Sequence, residues 1–323
     1  MGAAQGPAVT RGMRKLAFLV APLAFACSEG ADPFRDASTS PRDSGAIADA
    51  GSTADSGVSE DAASGTDAAA MNDAGSSSDA GAAGTCAPIP TRMVVLGDSI
   101  MACQGAGGKM AATCGPKALH TALEGSVAPG LTYENNAVSG AVTAGVANMQ
   151  LGTVTGGPGH VLVLIYIGGN DLAQYIFVTD QAAQSGYDAA LPGIIANWQT
   201  IFDYFGDRTR FPDGATVIMN TQYNPFDDCT APPYNLSAVK IALLHDFNMT
   251  LRTIAETNAA AHLTDQFTPF LGHGHHNAVA SCPYYEAGKD NWMSDLIHAN
   301  NAGHANFVIE WRKITDAMYV NCH

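Results

Sequence analysis

Apolar and polar positions divide the chain into three stretches. Residues 16–26 form a short apolar run behind Arg11, Arg14 and Lys15. Residues 28–85 hold almost no large apolar side chain, and from Cys86 onward apolar runs alternate with helix-like periodic stretches. In that last stretch residues 93–96 and 160–167 are continuous apolar runs ending at Gly97 and at Gly168-Gly169. This is the pattern of strands buried on both faces with loops at their carboxyl ends. Shorter runs at 131–134, 216–220 and 262–265 predict three further strands. Helical periodicity falls between them, over 108–123, 188–205 and 237–261, and a closing helix is expected over 300–319 with Phe307, Ile309, Trp311 and Ile314 buried. The alternation predicts an α/β fold with a parallel sheet. The 238 residues from 86 to 323 suffice for one domain with one core.

The basic start and the 16–26 run have the proportions of a signal peptide and are too short to span a bilayer. The run ends Leu23-Ala24-Phe25-Ala26-Cys27, which resembles a bacterial lipobox with its leucine four residues, rather than three, before the cysteine. Residues 1–26 are therefore read as an export signal and Cys27 as a site of lipidation that would anchor the protein to a membrane of the cell envelope. Residues 27–85 are read as a disordered tether, because Ala, Ser, Gly and Asp cannot bury enough surface to offset the entropy of folding. Aspartates recur there every six residues from Asp43 to Asp79. A flexible coil of that length reaches on the order of 40 Å.

Acidic residues outnumber Lys and Arg 11 to 2 over residues 28–85 and 19 to 10 from Cys86 onward. Such a balance argues against nucleic acid as a partner. Beyond Cys27, six cysteines remain, an even count that in an exported chain predicts three disulfides. Of the fifteen possible pairings we take Cys103–Cys114, Cys229–Cys282 and Cys86–Cys322, the last clasping the domain's ends. His273, His275 and His276 lie close together, but no carboxylate or cysteine stands beside them at ligand spacing. They are expected to form a loop near the substrate, tied down by Cys282, and no metal or other cofactor is expected.

Four short blocks carry the chemistry: Gly97-Asp98-Ser99, Asn135 to Thr143 with Gly140 inside it, Gly168-Gly169-Asn170-Asp171, and Asp295-Leu296-Ile297-His298. They offer a hydroxyl nucleophile, hydrogen-bond donors suited to an oxyanion, and a histidine with a carboxylate three residues before it. No glycine follows two residues after Ser99, so the first block is not the nucleophile elbow of the α/β-hydrolases. Together the blocks resemble those of the SGNH hydrolases, the GDSL lipase and esterase family. Ala137 stands where that family has its first block-two glycine, and Ala299 where it has a proline after the histidine.

The resemblance implies a three-layer α/β/α sandwich around a mainly parallel, flavodoxin-like sheet. It also assigns roles: Ser99 as nucleophile, His298 as its base, Asp295 as the carboxylate that orients His298, and Ser99, Gly140 and Asn170 as oxyanion donors. Asp171 is read as a structural residue fixing its loop. The expected activity is that of a monomeric serine hydrolase of carboxylic esters, with short or medium acyl groups as substrates. Removal of acetyl groups from polysaccharide is the alternative, and a non-catalytic surface binding module on the same fold is a third. Aromatic and proline clusters at 223–226, 232–234 and 283–285 would suit an acyl or sugar pocket or equally a packed loop.

Overall fold

The computed structural model describes residues 86–320, which contain a five-stranded sheet flanked by helices on both faces. In chain order the elements are β1 (Arg92–Gly97), α1 (Gly115–Glu124), β2 (Thr132–Asn135), α2 (Thr143–Gly145), β3 (Val161–Tyr166), α3 (Gly169–Ala173), α4 (Asp180–Gly206), β4 (Ala215–Asn220), α5 (Ala238–Glu256), β5 (Ala261–Thr264), α6 (Phe267–Phe270) and α7 (Asn301–Thr315). A π-helical turn, Val146–Gln150, and a 3-10 turn, Leu151–Thr153, continue α2. All strand pairs are parallel, in the order β2-β1-β3-β4-β5. Every expected strand is present within a residue or two.

The apolar runs of β1 and β3 follow from their central position, which leaves both faces to be covered. Val94, Leu96, Val163 and Ile165 face a core completed by Trp198, Ile201 and Phe205 of α4 and Phe247 and Leu251 of α5. Met93, Val95, Leu162 and Leu164 face the other core, completed by Leu119 and Leu123 of α1 and Phe307 and Trp311 of α7. The result is the α/β/α sandwich expected. Among the described residues no helix is long and apolar enough to cross a membrane.

Several boundaries and one buried position differ from expectation. Residues 108–114 are turns rather than helix, and α1 starts only at Gly115, with Pro116 in its first turn. Four glycines, Gly105, Gly107, Gly108 and Gly130, adopt positive φ around α1, three of them in the loop before it. α4 begins eight residues early, at Asp180, because the Thr179 hydroxyl accepts from the Ala182 N–H and caps a polar first turn that carries no apolar period. α5 ends at Glu256, not 261, since residues 258–261 turn into β5. On α7, Phe307 and Trp311 are fully buried but Ile309 is 58% exposed. The face actually buried runs through Gly303, His304, Phe307 and Trp311, the 3.6-residue stripe, which Ile309 lies outside.

Two of the expected disulfides are formed, Cys103–Cys114 and Cys229–Cys282. Cys322, the expected partner of Cys86, lies outside the described residues, as do residues 1–85 with the export signal, Cys27 and the tether.

Candidate active site

Loops at the carboxyl ends of parallel strands are where an open α/β sheet binds its ligands. Ser99 lies just beyond β1 and Asn170 just beyond β3. β1 ends at Gly97 with φ +138, and a Cβ there would stand 2.2 Å from the Tyr166 carbonyl oxygen of β3. Only glycine lets the chain leave the strand at that point and carry Ser99 over the sheet edge. Asp98 is buried beside it, its Oδ1 accepting the Ile100 N–H at 2.9 Å.

The imidazole reaches Ser99 from the other end of the domain. His298 Nε2 lies 2.9 Å from Ser99 Oγ, across 199 residues of sequence. Its Nδ1 stands 2.7 Å from Asp295 Oδ2 and 2.9 Å from Oδ1. An ionised carboxylate only accepts, so Nδ1 carries the proton and Nε2 is left to accept from the serine hydroxyl. Burial pushes the Asp295 carboxyl up, but the His298 ring N–H and the backbone N–H groups of Ile297 and His298 outweigh it and hold the group down to about 2. It is therefore ionised throughout the range in which imidazole titrates.

The turn carrying these two residues is braced from three sides. Tyr223 Oη donates to the Ile297 carbonyl at 2.5 Å, and both N–H and Oγ of Ser294 donate to the His298 carbonyl. Asn300 then caps α7 by accepting from Ala302 and Gly303 N–H. The Ala299 found in place of the family's proline is fully buried and pairs with Met293 in an isolated bridge, so backbone pairing restrains the turn.

Asn170 sits in the first turn of α3, behind Gly168 at φ +121, where a Cβ would strike the Phe247 ring at 2.4 Å. Its Nδ2 donates to the Ala141 carbonyl at 2.9 Å, which fixes the amide and leaves its second hydrogen for a ligand. Asp171 accepts from the Thr143 N–H and hydroxyl, both at 2.9 Å, and so joins the block-three loop to block two. Burial raises its carboxyl while the two Thr143 bonds lower it. Gly140 adopts φ +79 and a Cβ there would meet nothing within 4 Å. The left-handed backbone conformation is one that L side chains rarely adopt, so it favours glycine here. Among the described residues, the N–H groups of Ser99 and Gly140 donate to no protein acceptor.

A pocket of about 860 Å³, part of it open to solvent, adjoins Ser99 and Asn170. Apart from these it is lined mainly by apolar groups, among them Leu172, Ile176, Phe226, Leu236 and Leu243. Of the aromatic and proline clusters, only 223–226 lines it directly. Tyr234 packs on Phe226 with ring centroids 5.1 Å apart, and Tyr284 and Tyr285 lie exposed outside the lining.

The histidine-rich loop holds its shape through carbonyl contacts. His276, fully buried, places Nδ1 and Nε2 each 2.9 Å from the Phe226 and Ala231 carbonyls. His273 stacks on Trp292, and His275 Nε2 lies 3.1 Å from the Leu296 carbonyl of the Asp-x-x-His turn. Asp227, which the sequence did not single out, accepts from Gly272, Gly274 and His276 N–H and ties the loop down. His276, Cys229 and Cys282 offer donor atoms within 4.8 Å of one another, but the disulfide occupies both sulfurs.

Burial drives the Asp98 carboxyl up to about 7, against the Ile100 N–H and the nearby His298. An unfolded aspartate titrates near 3.8, so between about pH 4 and 7 the folded chain keeps a proton that the unfolded chain has released, and this group costs stability as pH rises. Asp98→Asn retains the acceptor for Ile100 without the charge. Its Tm relative to wild type should therefore be higher at pH 8 than at pH 4, and an equal difference at both pH values would contradict the buried-charge account.

A parallel α/β sandwich with serine, histidine and aspartate aligned over the carboxyl ends of its strands is the arrangement of an ester hydrolase assembled from dispersed blocks. The chain belongs to the GDSL-like lipase/acylhydrolase family, whose sequence profile matches residues 95–305. None of the curated proteins matches it. Similar solved structures include an extracellular lipase from Streptomyces rimosus, 22% identical over 71% of this chain and 99% of that one, TM-score 0.50. A phospholipase A1 from Streptomyces albidoflavus is 19% identical over 71% and 99%, TM-score 0.48. An acetylxylan esterase from Geobacillus stearothermophilus is 16% identical over 71% and 95%, TM-score 0.45. At 22% identity the likeness to the Streptomyces rimosus lipase extends to the fold alone.

Proposed function

We propose that the protein is an exported, lipid-anchored serine hydrolase that cleaves short or medium acyl esters through an acyl-enzyme. The observation that carries this reading is the continuous Ser99–His298–Asp295 hydrogen-bond chain at the edge of an apolar pocket. Ser99 Oγ attacks the acyl carbon as its proton passes to His298 Nε2, and Asp295 holds the resulting imidazolium. The carbonyl oxygen takes the negative charge and is met by the N–H groups of Ser99 and Gly140 and the amide of Asn170. Collapse breaks the bond to the alcohol oxygen, which receives the proton from His298. Water then attacks the acyl-serine with His298 again as base, releasing the acid and restoring Ser99.

Apolar walls favour an acyl chain of several carbons over an acetyl group, since each buried methylene contributes up to about fourfold in affinity. kcat/KM for p-nitrophenyl esters should therefore rise from acetate to butyrate and octanoate. Faster turnover of acetylated xylan than of any longer-chain ester would favour the polysaccharide reading instead. Labelling the full-length protein with a fluorophosphonate should place the adduct on Ser99, with Ser99 Oγ displacing fluoride. The label should be found in the membrane fraction and move to the soluble fraction on Cys27→Ser. No adduct on correctly folded protein would favour the binding-module reading.

A further inference from the structure

The residue from which the Ser99 loop departs is held by a side chain none of the four blocks contains. Gln150 ends the π-helical turn after α2 and is 2% exposed. Its Oε1 accepts the Gly97 N–H at 2.9 Å and its Nε2 donates to the Gly97 carbonyl at 2.7 Å. One primary amide thus satisfies both main-chain groups of one residue, two positions before Ser99. A primary amide carries a donor and an acceptor in one planar head without titrating, and Gln has a longer reach than Asn.

The location matters as much as the pairing. Gly97 sits at φ +138, where the chain departs from β1, and its ladder partner Tyr166 is the last residue of β3. The neighbouring strand β2 pairs with β1 only as far as Asn135 with Val95, so Gly97 lies beyond that ladder. The Val138 N–H and the Gln150 amide take over there. The segment ending in Gln150 also begins with Thr143, which holds Asp171 beside Asn170, and it follows Ala141, whose carbonyl orients the Asn170 amide. A single stretch, 141–150, therefore grips both the serine-bearing strand end and the loop that carries the third oxyanion donor.

We infer that Gln150 is a positioning residue for ester hydrolysis: its amide clamps Gly97 so that Ser99 stays in register with His298 and with the donor on Asn170. The inference rests on the reading of Ser99 as nucleophile. Gln150 lines no part of the pocket, so its effect runs through Ser99 and not through contact with substrate. Misplacement of a reacting group by about 1 Å can cost on the order of a hundredfold in rate.

Gln150→Leu removes both bonds and puts a slightly shorter apolar side chain in place of the amide. Gln150→Glu, once ionised, keeps an acceptor for the Gly97 N–H and turns an acceptor toward its carbonyl, so its rates are read at about pH 9, where the carboxylate is favoured even in a buried site. Each variant should lower kcat for p-nitrophenyl butyrate by roughly 10- to 100-fold with KM within about twofold, and should slow fluorophosphonate labelling of Ser99 in parallel. Tm should fall on the order of 5 °C for Gln150→Leu. Leu251→Ala, in the core on the far side of the sheet from α7, serves as a control that loses stability without touching Gly97. If Gln150→Leu does not fold, the Gln150→Glu rates decide. Variants that lose stability yet keep wild-type kcat and labelling rate per folded molecule overturn the inference and leave the nucleophile reading intact. Failure of the wild-type protein to be labelled at Ser99 overturns both.

Discussion

Ser99→Ala is expected to reduce p-nitrophenyl ester turnover by roughly 10⁴- to 10⁶-fold, to near the uncatalysed background, with Tm unchanged within about 1 °C. The side chain makes one hydrogen bond, to His298, and packs no core, so its removal leaves a fold of the same stability. His298→Ala should cost about as much, because an unassisted serine hydroxyl is a poor nucleophile at neutral pH. The double variant should be no slower than either single one, since the two groups act as a unit. Steady-state rates and calorimetry on the three variants check this. Activity within tenfold of wild type in Ser99→Ala would remove Ser99 from the chemistry.

Asn170→Ala is expected to lower kcat by about a hundred- to a thousandfold, the usual loss for one oxyanion donor, with KM little changed. The amide meets a neutral carbonyl in the ground state and a full negative charge in the intermediate, so its contribution falls mainly in the transition state. The Nδ2 bond to the Ala141 carbonyl adds a structural cost that should be small, because Asn170 is only half-buried at the pocket edge. Slow fluorophosphonate labelling of Ser99 should persist. A variant with normal kcat and only a raised KM would make Asn170 a substrate-binding residue.

The parts of this site legible in the sequence share one property: each lies beside a strong local signal. Ser99 and Asn170 follow apolar runs that could only be buried strands, and Asp295 with His298 directly precedes a capped helix. The braces were not legible, because their partners are remote. Gln150 reaches 53 residues back to Gly97, Tyr223 reaches 74 residues forward to Ile297, and Asp227 reaches 45 or more to its loop amides. A buried amide or phenol has no periodicity and reads as an ordinary polar residue until its partner is known. The elements misplaced fail for local reasons. The first turn of α4 is polar and capped rather than apolar, and Ile309 sets an apolar side chain outside the buried stripe of α7, where it faces solvent.

The pairing of Ser99 with His298 spans 199 residues, from the first strand to the threshold of the last helix. A chain emerging from the ribosome presents Ser99 early and His298 almost last. Until α7 has docked against β1 and β3 and drawn the turn at 295–298 over the sheet edge, the serine is an ordinary hydroxyl. On the proposed reading of Ser99 as nucleophile, its reactivity is thus withheld from every partly folded form of the chain and arises only once the last helix has closed the domain.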